Sequence, residues 1–295
     1  MMPKLLQEKQ ESSFSILFES HIMSSTSIVE HHPCWSNSRG ALWQRIHLPV
    51  ADRCNIKCIF CEQNFGCCGA GRPGSAAKIM KPSEAIARLK LELRRRKNLR
   101  IIAVSGPGDP MASKNAIETL RGISHLGLDA KICLSTNGTL MNENMPYLRE
   151  IAPSTISVSI HAANPKTASK LYEWIDIDGR VPVDKKLGSH ILNKQLSGIR
   201  NASAAGILVK VNTVFIPQIN EKEVVRIAER ISEHGATLHN IIPLVPAGRF
   251  ASLSPPTTKQ LNNIRNKASK HIRQFYHCHQ CRSDVVGIPG QDDIL

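Results

Sequence analysis

The chain has 295 residues, 41% of them hydrophobic and 21% charged, a balance that suits a soluble globular fold of one large domain or two modest ones. No segment approaches the roughly 18 apolar residues of a membrane span, and the polar opening MMPKLLQEKQ lacks the apolar core of a signal peptide, so a cytoplasmic protein with no membrane partner is expected. The formal charge of +14 admits anionic partners, yet aromatics at 4% leave few platforms for stacking bases, so no nucleic-acid partner is expected.

Residues 1–27 are rich in Ser, Gln, Glu and Lys without a sustained period, and read as a flexible leader before a core domain at 28–295. Beyond it, β-rich runs alternate with amphipathic helical stretches. Strands are expected at 45–50 (RIHLPV), 99–106 (LRIIAVSG), 130–136 (AKICLST), 155–160 (TISVSI), 207–216 (ILVKVNTVFI) and 237–244 (TLHNIIPL). Helices are expected near 82–97, 114–126, 143–151, 188–204, 221–234 and 257–273. Several strand runs are almost wholly apolar, as in a parallel sheet covered on both faces. Six βα units without a repeat motif give the fold class α/β, a partial (βα)6 parallel barrel. Ligands in such folds gather at the carboxyl ends of the strands. The distinctive loops fall there: a three-cysteine loop after the first strand, then SGPGDP, STNG, HAANP and IPQIN after the next four. The basic run LRRRKNLR (93–100) ends the first helix, where cations complement the helix dipole and face solvent.

Nine cysteines, an odd number and clustered, favour metal or redox chemistry over disulfides in a cytosolic chain. CNIKCIFC carries Cys54, Cys58 and Cys61 on one short loop. A structural zinc site wants four ligands, and Cys67 or Cys68 would complete such a set. A [4Fe–4S] cubane held by three cysteines instead keeps one iron open to a cofactor or substrate. Spacing alone admits both. In SGPGDP, Gly106 and Gly108 permit close backbone approach at a strand end, and Asp109 offers an acceptor to an ammonium group, although a plain βα turn has the same residues. Cys133, taken alone, reads as a small buried hydrophobe. His47, alternating with Ile46 and Leu48, reads by itself as a hydrogen-bonded core residue. The CHQC pair, Cys278 and Cys281, has the geometry to chelate one metal centre from a turn.

CxxxCxxC after the first strand of an α/β barrel resembles the signature of the radical S-adenosylmethionine (SAM) superfamily. That resemblance implies a [4Fe–4S] cluster on the catalytic Cys54, Cys58 and Cys61, with SAM chelating the open iron. Reduction would then cleave SAM to methionine and a 5′-deoxyadenosyl radical, with the protein orienting the reaction. It further implies that Gly106, Gly108 and Asp109 meet the methionine end of SAM. Ser135, Asn137, Asn212 and Ile242 would lie near ribose or adenine. A low-potential electron donor is the implied reductant.

Within that superfamily the chain resembles the NifB family, which builds the iron–sulfur core of the nitrogenase cofactor in nitrogen fixation. The match covers about residues 30–292. It runs from HPC (32–34) through RIHLPVADRCNIKCIFC, RPG (72–74), SGPGDP, CLSTNG, GILVKVNTVFIPQIN and GATLHNIIPL to HCHQCRSDVVGIPGQD. Longer members add a C-terminal carrier domain, and the chain resembles the compact members. The family implies one substrate cluster on Cys34, Cys278 and Cys281 and another on His47, Cys67 and Cys133, leaving Cys68 unassigned. One SAM would methylate a cluster sulfide, and a second would supply the radical that abstracts hydrogen from that methyl. The carbon would end as a carbide in a fused eight-iron precursor, the work of a lyase or transferase. Implied partners are iron–sulfur cluster donors and the acceptor or carrier proteins of cofactor assembly. Two positions depart from the family: Ala70 stands where an acidic residue is usual, and His161 where Asn is favoured. A radical SAM relative acting on another substrate, such as an RNA base, and a non-enzymatic iron–sulfur scaffold are the alternatives.

Overall fold

The computed structural model describes residues 26–38, 40–62 and 73–295. In chain order the elements begin with β1 (Gln44–His47), β2 (Ile56–Cys58), α1 (Pro82–Arg95), β3 (Leu99–Val104), α2 (Lys114–Ser124), β4 (Lys131–Thr136), α3 (Met145–Ile151) and β5 (Thr155–Ser159). They continue with α4 (Pro165–Leu171), β6 (Tyr172–Asp176), β7 (Arg180–Pro182), α5 (Lys185–Ala204), β8 (Leu208–Phe215), α6 (Pro217–Asn220), α7 (Val224–Glu233) and β9 (Leu238–Pro243). Helix α8 (Thr258–Ala268) and the hairpin β10 (Val285–Ile288) and β11 (Gln291–Ile294) end the chain.

Six strands, β1-β3-β4-β5-β8-β9, lie parallel and adjacent in that order, as expected for an incomplete (βα)6 barrel. All six correspond to the runs expected from the sequence. Polar side chains fix where several helices start. Ser113, Asn164, Asp184 and Thr257 each accept a backbone N–H from the first turn that follows.

Alternation along each strand divides two environments. One face packs under the helices: Ile46, Ile102, Val104, Ile156, Val158, Val209 and Val211 join Leu89, Leu120, Leu148, Ile199 and Ile231 in the main core. Each such side chain contributes about 1.5–3 kcal/mol on burial. The opposite face turns inward and carries Arg45, His47, Cys133, Ser135, Lys210, Asn212 and Asn240.

Three features were not expected from the sequence. Helix α4 and the antiparallel strands β2-β6-β7 form a small annex around Ile56, Leu171, Tyr172, Ile175 and Ile191, with Cys54 and Cys58 packed on it. Its signal was the Asp178-Gly179 pair, both at positive φ in the β6–β7 turn. The third feature is the C-terminal hairpin, with β10 antiparallel to β1. Before reaching β1, the chain first meets the other end of the sheet. His239 donates its N–H to Arg273 O, and Phe275 donates back to His239 O. Residues 273–288 therefore cross from β9 to β1 over the open side of the barrel.

The basic run at 93–100 is largely paired. Glu92, 2% exposed, meets Arg88, Arg95 and Arg96, while Arg100 meets Asp129. Of the expected leader, residues 1–25 lie outside the described residues.

Candidate active site and inner cavity

The three-cysteine loop is held by its neighbours. Gly108 donates its N–H to Ala51 O (2.8 Å), and Asp109 donates to Arg53 O (2.9 Å). A Cβ at position 108 would lie 2.2 Å from Arg53 O, so only glycine lets SGPGDP lie against the loop. Within the loop, Cys61 donates its N–H to Cys58 O (3.0 Å). Asn137, from the end of β4, donates Nδ2–H to Asn55 Oδ1 (2.9 Å) and lies 3.7 Å from Cys54 Sγ. Thr139 donates to the Asn137 carbonyl oxygen Oδ1 through both its N–H and its hydroxyl, fixing the amide.

The thiols share a setting hostile to free negative charge. Burial, the Asp109 carboxylate and Cys61 push Cys54 up to about 12. Burial raises Cys58 too, helped by Cys61, Cys54 and Asp109. Asp109, itself 3% exposed, accepts from Met111 N (2.9 Å), Thr136 Oγ1 (2.8 Å) and Asn137 N (2.6 Å). Its carboxylate thus ties the ends of β3 and β4 together. Gly106, at φ +147, faces the C-terminal segment, where a Cβ would meet Ser283 Oγ at 2.5 Å.

Behind this loop the inward strand faces enclose a cavity of about 200 Å³. Cys34, His47, Cys133, Cys278 and Cys281 all line it, together with Ser135, Asn212 and Ile242. Gly106, Gly108, Asp109 and Asn137 do not. His47 and Cys133 share one register row, His47 opposite Ala103 and Ala103 opposite Cys133. His47 Nδ1 lies 2.9 Å from Arg282 O, an atom that only accepts, so the ring proton sits there and Nε2 keeps its lone pair. Burial, then the Arg45 charge, lowers His47 to about 3, and the ring is neutral. A neutral imidazole with a carbonyl-bound N–H is the form that ligates metals.

Cys34 reaches the cavity because Trp35, fully buried, packs with Leu238 and Phe275. Cys278 and Cys281 arrive on the crossing segment. Their block is fastened by Gly74 N to Cys281 O (2.9 Å), Ser283 N to Ser75 O (2.8 Å) and Ala77 N to Asp284 Oδ2 (2.7 Å). Arg282 grips the same Asp284 through Nε and Nη2. Gly74 and the residues after it therefore meet the CRSD motif, and Arg282 and Asp284 join two distant segments. Cys67, Cys68 and Ala70 lie outside the described residues. Among the described residues, no three His, Cys, Asp or Glu side chains are gathered as around a single metal ion. His161, at the end of β5, is buried against Phe60 and Tyr172, accepts Val214 N–H at Nδ1 (3.1 Å), and is lowered to about 4 by burial. Sequence reasoning missed Arg45, Lys210 and His32 in the cavity wall. The only signal for Arg45 and Lys210 was a charged residue at an alternate position of an apolar run, and His32, in HHPCW, had none.

Residues 48–231 match the family model of the radical SAM superfamily. The FeMo cofactor biosynthesis protein NifB of Methanocaldococcus jannaschii is 35% identical over 270 residues, covering 91% of this chain and 89% of the relative. The NifB protein of Klebsiella pneumoniae is 31% identical over 268 residues, covering 88% of this chain and 57% of its own. Among solved structures, methylornithine synthase (PylB) superposes with a TM-score of 0.52 at 10% identity, covering 85% of this chain and 73% of that one, a likeness of fold alone. The identity and coverage of these relatives, with the family match across the barrel, establish that the chain belongs to the radical SAM superfamily and, within it, to the NifB family.

Proposed function

We propose that the protein is a radical SAM enzyme of nitrogenase cofactor assembly that inserts a SAM-derived carbon while fusing two [4Fe–4S] units into an eight-iron precursor. The observation that carries this is a second gathering of cysteines. Cys34, Cys133, Cys278, Cys281 and His47 line one cavity that the Cys54 loop does not share. An enzyme that only cleaved SAM would need the loop and the SAM-facing strand ends, but not four further cysteines and a histidine.

The residues of the loop fit a resident [4Fe–4S] cluster. Cys54 and Cys58 pack against the annex, Cys61 raises the charge cost of both, and a positive iron core is what would relieve that cost. A cluster held there together with SAM would supply the electron that cleaves the sulfonium. The protein's own residues do the rest. Asn137 orients an N–H toward the Cys54 sulfur, and Gly108 and Asp109 hold the loop. In the cavity, Cys34, Cys278 and Cys281 would anchor one substrate cluster, and His47, Cys133 and Cys67 the other. Three ligands per cluster suit a cargo that must leave. Partners of this chemistry are a low-potential reductant, cluster donors and a product carrier.

Anaerobic reconstitution tests the reading. The chain should bind about twelve irons, four for each of three cubanes. Cys58→Ala should abolish deoxyadenosine formation. Cys34→Ala should lose iron and the eight-iron product while keeping some SAM cleavage, read as deoxyadenosine and S-adenosylhomocysteine. Equal, complete loss of cleavage in both folded variants would contradict separate sites.

A further inference from the structure

The cavity wall contains a set of donors that the proposed ligand set does not use. Arg45 is fully buried beside the Cys281 sulfur, and its Nη1 donates to Gly287 O (2.9 Å) and pairs with Asp292 Oδ1 (2.8 Å). Its Nε and Nη2, the side of the guanidinium that forms a two-pronged fork, have no hydrogen-bond partner. His32, 2% exposed, accepts the Cys34 N–H at Nδ1 (3.0 Å), so its proton sits on Nε2, which also lacks a partner. Lys210, 5% exposed, donates from Nζ to Cys34 O (3.1 Å) and lies 5.6 Å over the Phe275 ring. Among the described residues lining the cavity there is no carboxylate.

Burying a cation costs several kcal/mol, an amount that Asp292 offsets for Arg45 but that no cavity-lining carboxylate offsets for Lys210, and each unmet buried donor costs about 1–3 kcal/mol more. A wall of donors with no acceptor acid is therefore complementary to an anion that arrives later. We infer that Arg45, Lys210 and His32 form a charge clamp for an anionic iron–sulfur cluster anchored at Cys34, Cys278 and Cys281. The inference rests on the proposed ligand set and adds what retains the guest. A cubane carrying thiolates is negatively charged, and its sulfides accept N–H bonds. Charge and hydrogen bonding both set its reduction potential. The fork of Arg45 and the Nε2–H of His32 would meet cluster sulfur, and Lys210 would offset the thiolate charge.

The test uses the full chain with Lys210→Met and Arg45→Lys, reconstituted anaerobically. It reads iron content, cluster potentials by EPR-monitored redox titration, and iron release to a chelator. Positive charge favours the reduced, more negative cluster, so removing it should lower the potential of an additional cluster. A tenfold change in the reduction equilibrium is about 59 mV for one electron. We expect at least that shift for Lys210→Met and a tenfold faster release of iron, with the Cys54-loop cluster unchanged. Arg45→Lys keeps the charge but loses the fork, and should speed release with a smaller shift. Because Arg45 also anchors the hairpin, Lys210→Met decides the matter if Arg45→Lys fails to fold. Unchanged potential and release in folded Lys210→Met would overturn the clamp while leaving the ligand set standing. A wild-type chain that loads only about four irons would overturn the ligand set itself, and the clamp with it.

Discussion

Replacing Gly108 by Ala tests how the radical-cluster loop is held. The added Cβ would lie 2.2 Å from Arg53 O, 2.6 Å from Arg53 C and 2.8 Å from Arg53 N. All three are backbone atoms, so no rotamer change relieves the clash. Restoring ordinary contact means parting the two loops by roughly 1 Å. That movement stretches the Gly108–Ala51 and Asp109–Arg53 bonds, now 2.8 and 2.9 Å. Overpacking costs about 1–3 kcal/mol and each of the two weakened bonds about 0.5–1.5 kcal/mol, so the expected loss is about 2–6 kcal/mol. Urea unfolding of the apoprotein under anaerobic reducing conditions measures it, with Gly40→Ala as control, since a Cβ there meets nothing within 4 Å. Iron bound by the Cys54 loop should fall in parallel. A Gly108→Ala protein within about 0.5 kcal/mol of wild type, with full iron loading, would refute this account of the glycine.

Two further outcomes follow from buried groups. Asp109→Asn keeps the size but turns an amide N–H toward one of three donors, so apoprotein stability should fall by about 1–3 kcal/mol; unchanged apoprotein stability would show that the carboxylate is not needed to join β3 and β4. His161 and His239 are lowered by burial to about 4 and about 3, so between pH 6.5 and about 4 the unfolded chain binds more protons. Stability should fall as pH falls through that window, by up to about 1.4 kcal/mol per pH unit for each ring, and His239→Gln should flatten the slope measured by urea unfolding.

The barrel was legible because its strands are near-continuous apolar runs, and parallel strands buried on both sides need them. The chemistry-bearing loops were legible because they fall at strand ends. The inner cavity was harder. In RIH, ICLS and VKVN the inward residues alternate with the core residues, so Arg45, Cys133 and Lys210 each interrupt a run by one position. Nothing local says whether such a residue faces a helix or a cavity. That depends on residues 273–288, which reach β1 from more than two hundred positions away. The role of CRSD was hidden for the same reason, since Asp284 finds Ala77 and Ser283 finds Ser75 only after the crossing is made. The annex strands β6 and β7 are short and follow directly on a helix, and only their Asp-Gly turn announced them.

The two cysteine sets differ in how they are built, and that difference bears on function. The Cys54 loop is braced by residues 51–55, 106–109 and 137–139, all close to the carboxyl ends of β1, β3 and β4. The cavity set draws Cys34 from before the barrel, Cys133 from its middle, and Cys278 and Cys281 from the crossing segment. Loosening that crossing would disperse the cavity ligands while leaving the bonds around Cys54 intact. Under the proposed function this is a useful asymmetry. A resident cofactor belongs on a locally braced loop, whereas clusters that enter and leave belong where a segment from far along the chain completes the site. The unpartnered edge of Arg45 lies at that junction, bonded through Nη1 to Gly287 and Asp292 of the hairpin. A guest that engages Nε and Nη2 would therefore join the hairpin, the inner wall and its own cysteine ligands through a single side chain.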